Sequence, residues 1–175
     1  MRKKLLLLGA ALIAVFAGYT LGQLWRLPGP AKPLGQMTEF ALPALDGKSH
    51  NIKEWAGRLI LLNFWATWCP PCREEMPLLT AMQERYGSQG LQIIGVAIDR
   101  AEAVNEYRRT MRINYPILLG GYDAGDILAQ YGNSKGALPY SVFITPQGQV
   151  AARKLGAYTS GELEPLIQSF LPKSQ

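Results

Sequence analysis

The stretch NFWATWCPPCREEMP (residues 63–77) contains both cysteines of the 175-residue chain, Cys69 and Cys72, separated by two prolines. It overlaps the apolar run RLILLNFW (58–65), which has the length and continuity of a strand buried on both faces. A helix is expected to begin at the cysteines and to run to about Tyr86. The cysteine pair is therefore predicted to lie where a central strand turns into a helix.

Segments on either side of this stretch alternate between strand and helix patterns. FALPALDGKSHNI (40–52) has Asp46-Gly47 between two short extended pieces and so predicts a β-hairpin. Further strands are predicted at 91–99, 139–145 and 150–156, and further helices at 101–112, at 127–131 and from the capping-box pair Thr159 and Glu162 to before Pro172. The pattern predicts an α/β fold, with a central sheet flanked by helices, an N-terminal hairpin and an antiparallel edge from the last two strands.

The first 36 residues differ in composition from the rest of the chain. A basic tail (1–4) precedes an uncharged apolar run (5–25), and a Pro/Gly-rich linker (26–36) leads into the globular domain (37–175). As a helix, the apolar run would extend roughly 31 Å, close to the ~30 Å hydrocarbon thickness of a bilayer. Residues 5–25 are therefore expected to form a membrane-spanning helix.

A cleaved secretory signal is the alternative for residues 5–25, because such signals also begin with basic residues and an apolar core. The run is longer than the roughly 7 to 15 residues of a usual signal core, and no convincing small-x-small cleavage site follows it. An uncleaved anchor is therefore favoured. Basic residues before a first span stay in the cytoplasm, so the expected location is a single pass through the bacterial inner membrane with the globular domain in the periplasm.

The net charge of +5 belongs to the N-terminal region. Residues 1–36 contain five basic side chains and no acidic one, which leaves 13 basic and 13 acidic side chains in residues 37–175. Nucleic-acid binding would need a basic surface on the folded domain itself. Nucleic acid is therefore not expected as a partner.

A cysteine pair at the start of a helix suits thiol-disulfide exchange. A helix N-terminus carries partial positive charge and unpaired N–H groups, which should stabilise a Cys69 thiolate and lower its pKa below the ~8.5 of a free thiol. Cys69 is expected to be exposed to solvent, whereas Cys72 lies one turn further and deeper, where it can resolve a mixed disulfide formed by Cys69. Proline between them is tolerated, since a first-turn N–H is unpaired in any case.

Other uses of a C-x-x-C pair fit less well. Haem attachment would need a histidine after Cys72, where the chain has Arg73. A zinc site needs about four ligands, and the only histidine, His50, falls in the predicted hairpin. A permanent structural disulfide would close almost no loop and so would remove little unfolded-state entropy.

Leu138-Pro139, directly before the strand at 139–145, adds a second motif. Together with WATWCPPC after a buried strand, it makes most of the chain resemble the thioredoxin superfamily, and in particular its membrane-anchored TlpA/ResA-like branch. The resemblance implies a thioredoxin-like fold and a cis Pro139 that shields the sulfurs. It also implies a substrate surface formed by Trp68, Pro70, Leu138 and Pro139, in which the Leu138 backbone pairs with an incoming strand.

One position departs from the thioredoxin pattern. Thioredoxins carry a buried aspartate that helps move the proton of the buried cysteine, and Asn63 stands at the matching position. An amide is not a base at ordinary pH. Substitutes considered from the sequence are Glu75, Glu74, Asp99 or water.

The resemblance implies a thiol-disulfide oxidoreductase, and specifically a periplasmic protein-disulfide reductase for cytochrome c or copper-site maturation. Cys69 would attack and Cys72 would resolve, with no cofactor, and a membrane thiol protein would supply the electrons. Two alternatives remain open. One is a copper-carrying module, although such relatives use C-x-x-x-C and a histidine after the cysteines; the other is a thiol peroxidase, although those carry threonine where this chain has Ala66.

Overall fold

The computed structural model describes residues 16, 18, 19, 34–121 and 124–172. The chain divides into two compact units, Met1–Lys32 and Pro33–Gln175. Nearly all of the predicted tail and anchor, and the linker up to residue 33, lie outside the described residues. Within the part that is described, no helix has both the length and the apolar character needed to cross a bilayer.

The second unit alternates strands and helices along the chain. Its strands are β1 (Gly35–Gln36), β2 (Ala41–Pro43), β3 (Ser49–Asn51), β4 (Leu59–Trp65), β5 (Leu91–Ala97), β6 (Ile117–Leu119), β7 (Tyr140–Ile144) and β8 (Gln149–Leu155). Its α-helices are α1 (Pro70–Tyr86), α2 (Ala101–Met111), α3 (Gly125–Gln130) and α4 (Ser160–Phe170). Short 3-10 helices occupy Ile52–Trp55 and Gly87–Gln89.

Six strands form one mixed sheet in the order β1-β8-β7-β4-β5-β6. β4 pairs in parallel with β5 and antiparallel with β7, and β5 pairs in parallel with β6. β2 and β3 form a separate antiparallel hairpin. The central mixed sheet, the flanking helices, the N-terminal hairpin and the antiparallel β7–β8 pair are confirmed, and β1 forms the edge outside β8.

The central strand β4 is buried on both faces, and its side chains alternate between two apolar clusters. Leu59, Leu61 and Trp65 join the cluster that includes Met76 and Leu79 of α1. Ile60, Leu62 and Phe64 join the opposite cluster. Because both faces of the strand are covered, its C-terminal end, which leads into the turn before Cys69, is anchored in a closely packed interior.

Several boundaries differ from those predicted. β5 ends at Ala97, and Ile98 and Asp99 lie beyond the strand. The strand β6 was not predicted, and neither was β1, whose two residues fall in the predicted linker and pair with Val150 and Gln149. Helix α3 begins at Gly125, two residues before the predicted start.

Candidate active site at the Cys69–Cys72 disulfide

Cys69 and Cys72 form a disulfide at the start of α1, with a Cα–Cα distance of 5.3 Å. Cys69 is the N-cap residue of the helix, and its Sγ accepts a hydrogen bond from the Cys72 N–H at 3.3 Å. Pro70 and Pro71 occupy the first two helical positions, where a missing N–H leaves no bond unmade. The predicted placement of the pair at a strand-to-helix junction is confirmed.

Cys69 is less exposed than its predicted role as the attacking cysteine suggests. Cys69 is 4% exposed and Cys72 is fully buried. The expectation of an openly exposed attacking sulfur is therefore wrong for the disulfide state, because the S–S bond holds Cys69 against the buried Cys72. The predicted order of depth, with Cys72 below Cys69, is correct.

A groove of about 470 Å³ borders Cys69 and connects it to solvent. Its walls are Trp68, Cys69, Pro70 and Pro71 on one side and the loop residues Gly136, Ala137 and Leu138 on the other. Trp68 is 61% exposed. The groove is thus mainly apolar and open at the surface, as suits a short extended segment of another protein.

The two halves of the site come from distant parts of the chain. The Leu138-Pro139 peptide bond is cis, as the resemblance implies, and Pro139 is buried. Of the four residues expected to contact substrate, Trp68, Pro70 and Leu138 line the groove, whereas Pro139 is not among the lining residues. Pro71, Gly136 and Ala137 were not predicted. For the last two, the available sequence signal was their position in the Gly-containing segment GNSKGA (132–137), directly before Leu138.

Asn63 connects β4 to the buried carboxyl of Glu75. Its Nδ2 donates to Ser141 Oγ at 2.9 Å and to Glu75 Oε2 at 3.3 Å, and its Oδ1 has no hydrogen-bond partner. Glu75 also accepts a bond from the Tyr158 N–H at 2.8 Å. Glu75 therefore lies beside the position where thioredoxins have their buried aspartate.

The surroundings of Glu75 favour its neutral form. The side chain is 2% exposed, and this burial raises its pKa to about 7. The hydrogen bonds from Tyr158 and Asn63 and the charge of Lys154 oppose the shift only in part. A carboxyl with such a pKa can both accept and release a proton at neutral pH.

The other two carboxyls considered from the sequence have different surroundings. Glu74 is exposed. Asp99 accepts bonds from the Thr67 N–H at 3.1 Å, from the Thr67 hydroxyl and from the Arg100 N–H at 2.8 Å. Partial burial acts to raise the pKa of Asp99, but these bonds prevail and lower it. Asp99 is thus an ionised hydrogen-bond acceptor.

The only histidine of the chain has partners of its own. His50 Nδ1 lies 2.8 Å from Glu54 Oε2, and the His50 ring stacks on Trp55 at 6.0 Å. His50 lines a second groove of about 480 Å³, which has no cysteine among its walls. Among the described residues, no group of three or more His, Cys, Asp and Glu side chains could hold a metal ion.

Comparison with known proteins gives consistent matches. The model of the AhpC/TSA family matches residues 34–153. The thiol-disulfide oxidoreductase ResA of a Bacillus cereus strain is 30% identical over 98% of this chain and 100% of its own length. ResA of Geobacillus thermodenitrificans is 31% identical over 96% of this chain and 92% of its own length.

Solved structures agree with the sequence relatives. A thiol:disulfide interchange protein of the thioredoxin family from Chlorobium tepidum TLS superposes with a TM-score of 0.72. It is 26% identical and covers 82% of this chain and 100% of its own chain. The thioredoxin-like fold implied by the sequence motifs is confirmed.

Proposed function

Because the chain belongs to the AhpC/TSA family and is a thiol-disulfide oxidoreductase, we propose that it reduces disulfides of proteins in the bacterial periplasm. The observation that carries this proposal is the Cys69–Cys72 disulfide at the N-terminus of α1, bordered by an open apolar groove. A disulfide at such a position is suited to exchange, since the helix stabilises the thiolate that forms when it opens.

The proposed reaction starts from the dithiol form. The Cys69 thiolate attacks one sulfur of a substrate disulfide, whose S–S bond breaks as a mixed disulfide forms and the other substrate sulfur leaves and takes up a proton. Cys72 then loses its proton and attacks Cys69 Sγ, which releases the second substrate thiol. Two electrons pass to the substrate, and the enzyme ends as the disulfide seen here.

We assign Glu75 as the group that accepts the Cys72 proton. Cys72 and Glu75 are three residues apart on α1, so their side chains are neighbours on one helix face, and both are buried. A pKa of about 7 leaves part of the Glu75 population ionised at neutral pH and ready to accept that proton. Glu75 would thereby replace the aspartate that is absent at Asn63.

Each turnover leaves the enzyme oxidised, so a reductase needs an outside source of electrons. The proposed donor is a membrane thiol protein, with the two sulfurs serving as the only redox group and no added cofactor. The resemblance to ResA proteins supports substrates with cysteines that must stay reduced outside the cytoplasm, such as apocytochrome c or copper-site proteins. Residues 5–25 are proposed to anchor the chain in the inner membrane.

The test uses the full chain purified in mild detergent. Reduced protein should reduce the disulfides of insulin, with dithiothreitol as the electron source. Cys69→Ser should abolish this activity, because no sulfur remains at the groove. Cys72→Ser should still attack but should accumulate as a mixed disulfide, detected as a mass increase that a thiol reagent reverses.

The direction of the reaction is tested by the reduction potential of the pair against glutathione. A value near the about −270 mV of thioredoxin supports a reductase. A value near the about −120 mV of strong oxidants would contradict the proposed direction. Wild-type insulin reduction at the same rate in Cys69→Ser would contradict the site itself.

A further inference from the structure

A tight turn connects the central strand to the cysteine pair. The Cys69 N–H donates to the Ala66 carbonyl at 3.3 Å, so residues 66–69 form a β-turn with Thr67 and Trp68 at its centre. The turn projects Trp68 into solvent at the wall of the groove. This backbone bond is at the long end of the usual range, so by itself it restrains the turn only weakly.

Asp99, which follows the end of β5, adds a restraint on the turn by binding Thr67. β4 and β5 run in parallel, and their last bond joins the Ile98 N–H to the Trp65 carbonyl at 2.8 Å. Directly beyond it the two chains separate, one into the turn and the other into α2. Asp99 bridges this separation, because its Oδ2 accepts both the N–H and the hydroxyl of Thr67.

The contacts of Asp99 suit a positioning role and not an acid-base role. Oδ2 is occupied by the two Thr67 donors, and Oδ1 accepts the Arg100 N–H. Asp99 is 8% exposed and is not among the residues that line the groove. It therefore contacts the turn and not the substrate surface, and Thr67 is the residue through which its hydrogen bonds reach the groove.

We propose that Asp99 and Thr67 form a clamp that fixes Trp68 at the mouth of the groove and so determines how well protein disulfides bind. The clamp rests on the proposed function of this site. Hydrogen bonds to an ionised carboxylate are stronger than neutral ones, and two of them converge on the residue just before Trp68. Fixing Thr67 limits the backbone freedom of the turn and so fixes the position from which the Trp68 side chain extends.

The prediction separates large substrates from small ones. Asp99→Ala should lower kcat/KM for insulin reduction about tenfold, mainly by raising KM, because a charge-assisted bond no longer positions the ring. Attack on hydroxyethyl disulfide, which is too small to need Trp68, should change less than about twofold. Thr67→Val should show the same selectivity to a smaller extent, and Thr67→Ser should retain wild-type rates because it keeps the hydroxyl.

A double-mutant cycle shows whether the effect passes through Trp68. In a Trp68→Ala background, Asp99→Ala should change insulin reduction by less than about twofold, since the ring that the clamp positions is gone. Asp126→Asn, which removes an exposed carboxylate on α3, is the charge control and should behave as wild type. The denaturant midpoint of each variant is measured as well. A lowered midpoint indicates a loss of stability, whereas lower activity at an unchanged midpoint indicates a loss of positioning.

Two results would overturn the clamp. One is an equal loss on insulin and on hydroxyethyl disulfide, and the other is an additive effect of Asp99→Ala and Trp68→Ala. If Asp99→Ala does not fold, Thr67→Val gives the same comparison with wild type, because it replaces only the hydroxyl with a methyl group, and Thr67→Ser controls for loss of the Thr67 methyl group. Failure of the wild type to reduce insulin would instead count against the proposed function.

Discussion

At the scale of single residues, the burial that suits Glu75 to its proposed role in proton transfer also reduces the stability of the fold. Its carboxyl lies in the interior between α1, β4 and the loop before α4, held by Asn63 and the Tyr158 N–H. Lys154, Tyr115 and Tyr158 are the other titratable groups that interact with it. Burial makes the ionised form unfavourable in the folded state, whereas the unfolded chain ionises freely near its ordinary pKa of 4.5.

Glu75→Gln should therefore remove a pH dependence of stability. The folded pKa of about 7 lies above the unfolded value of 4.5, so wild-type stability is full below pH 4.5 and falls as the pH rises to about 7. The loss reaches at most about 3.5 kcal/mol, because the two pKa values differ by about 2.5 and each pKa unit corresponds to about 1.4 kcal/mol. Denaturant unfolding of the disulfide form should thus find the variant more stable than wild type at pH 8.

Glu74→Gln is the matched control for this experiment, because Glu74 is the adjacent but exposed carboxyl of α1. The pKa of His50 is raised by its bond to Glu54, and its titration contributes equally in all three proteins. The difference between wild type and Glu75→Gln isolates the buried group. An unchanged pH slope in Glu75→Gln would show that Glu75 is already ionised in the folded protein.

The site residues differ in how far they could be predicted. Cys69, Cys72, Trp68 and Leu138 belong to short motifs whose chemistry is visible in the sequence. The burial of Glu75 depends on Tyr158, 83 residues away, and the binding of Asp99 to Thr67 joins residues 32 apart. Contacts of that kind are set by packing between elements. For that reason Glu75, Glu74 and Asp99 could not be distinguished from the sequence as substitutes for the buried aspartate.

At the scale of secondary-structure elements, the close packing around β4 and β5 limits the size of the side chain that β5 can accept at Gly95. Gly95 of β5 lies opposite Asn63 of β4. A Cβ added at Gly95 would lie 2.9 Å from Trp65 Nε1 and 3.4 Å from Tyr115 Cε2. Trp65 is fully buried and packs on Tyr107, so its ring has no free space to move into.

Gly95→Ala should destabilise the protein by about 1–3 kcal/mol, the usual range for overpacking a closely packed core. Alanine reduces the freedom of the unfolded chain, which favours folding by about 0.5–1 kcal/mol, but the steric effect is larger. Urea unfolding of the disulfide form measures the difference. Displacement of Trp65, the last residue of β4, should also shift the tryptophan emission.

Gly161→Ala is the control for Gly95→Ala. Gly161 lies in α4, and a Cβ there meets nothing within 4 Å. Alanine is the better helix former, so this variant should equal or exceed the stability of wild type. If both variants had the same stability as wild type, the close approach of Trp65 to β5 would be contradicted.

Elements with long, strongly apolar or amphipathic sequences were predicted well. β4, β5, β7 and α1 were identified to within a few residues because each buries many side chains in a continuous pattern. β6 and β1 were not predicted. They contain three and two residues, too few to show a period, and they exist because β5 and β8 offer them a free edge.

At the scale of the whole molecule, the net charge and the number of cysteines indicate which partners the chain can use. Basic and acidic side chains balance in residues 37–175, so the domain carries no surplus charge to attract nucleic acid. Both cysteines belong to one pair. A chain with a single dithiol has no second thiol pair to restore it after each turnover, so the electrons have to come from outside the chain, and we propose another thiol protein as their source.

The proposed membrane anchor would supply that proximity, and the anchor is tested on the full chain expressed in a Gram-negative bacterium. The protein should sediment with membranes after an alkaline wash, and its intact mass should include residues 1–25, because the apolar run of 5–25 matches the bilayer and lacks a cleavage site. Protease added to the periplasm should degrade residues 37–175. Replacing Arg2, Lys3 and Lys4 with glutamine should lower the fraction of molecules whose residues 37–175 are open to that protease, since basic residues before a span favour a cytoplasmic tail. A soluble periplasmic protein whose mass begins after residue 25 would contradict the anchor, and the donor would then have to be reached by diffusion.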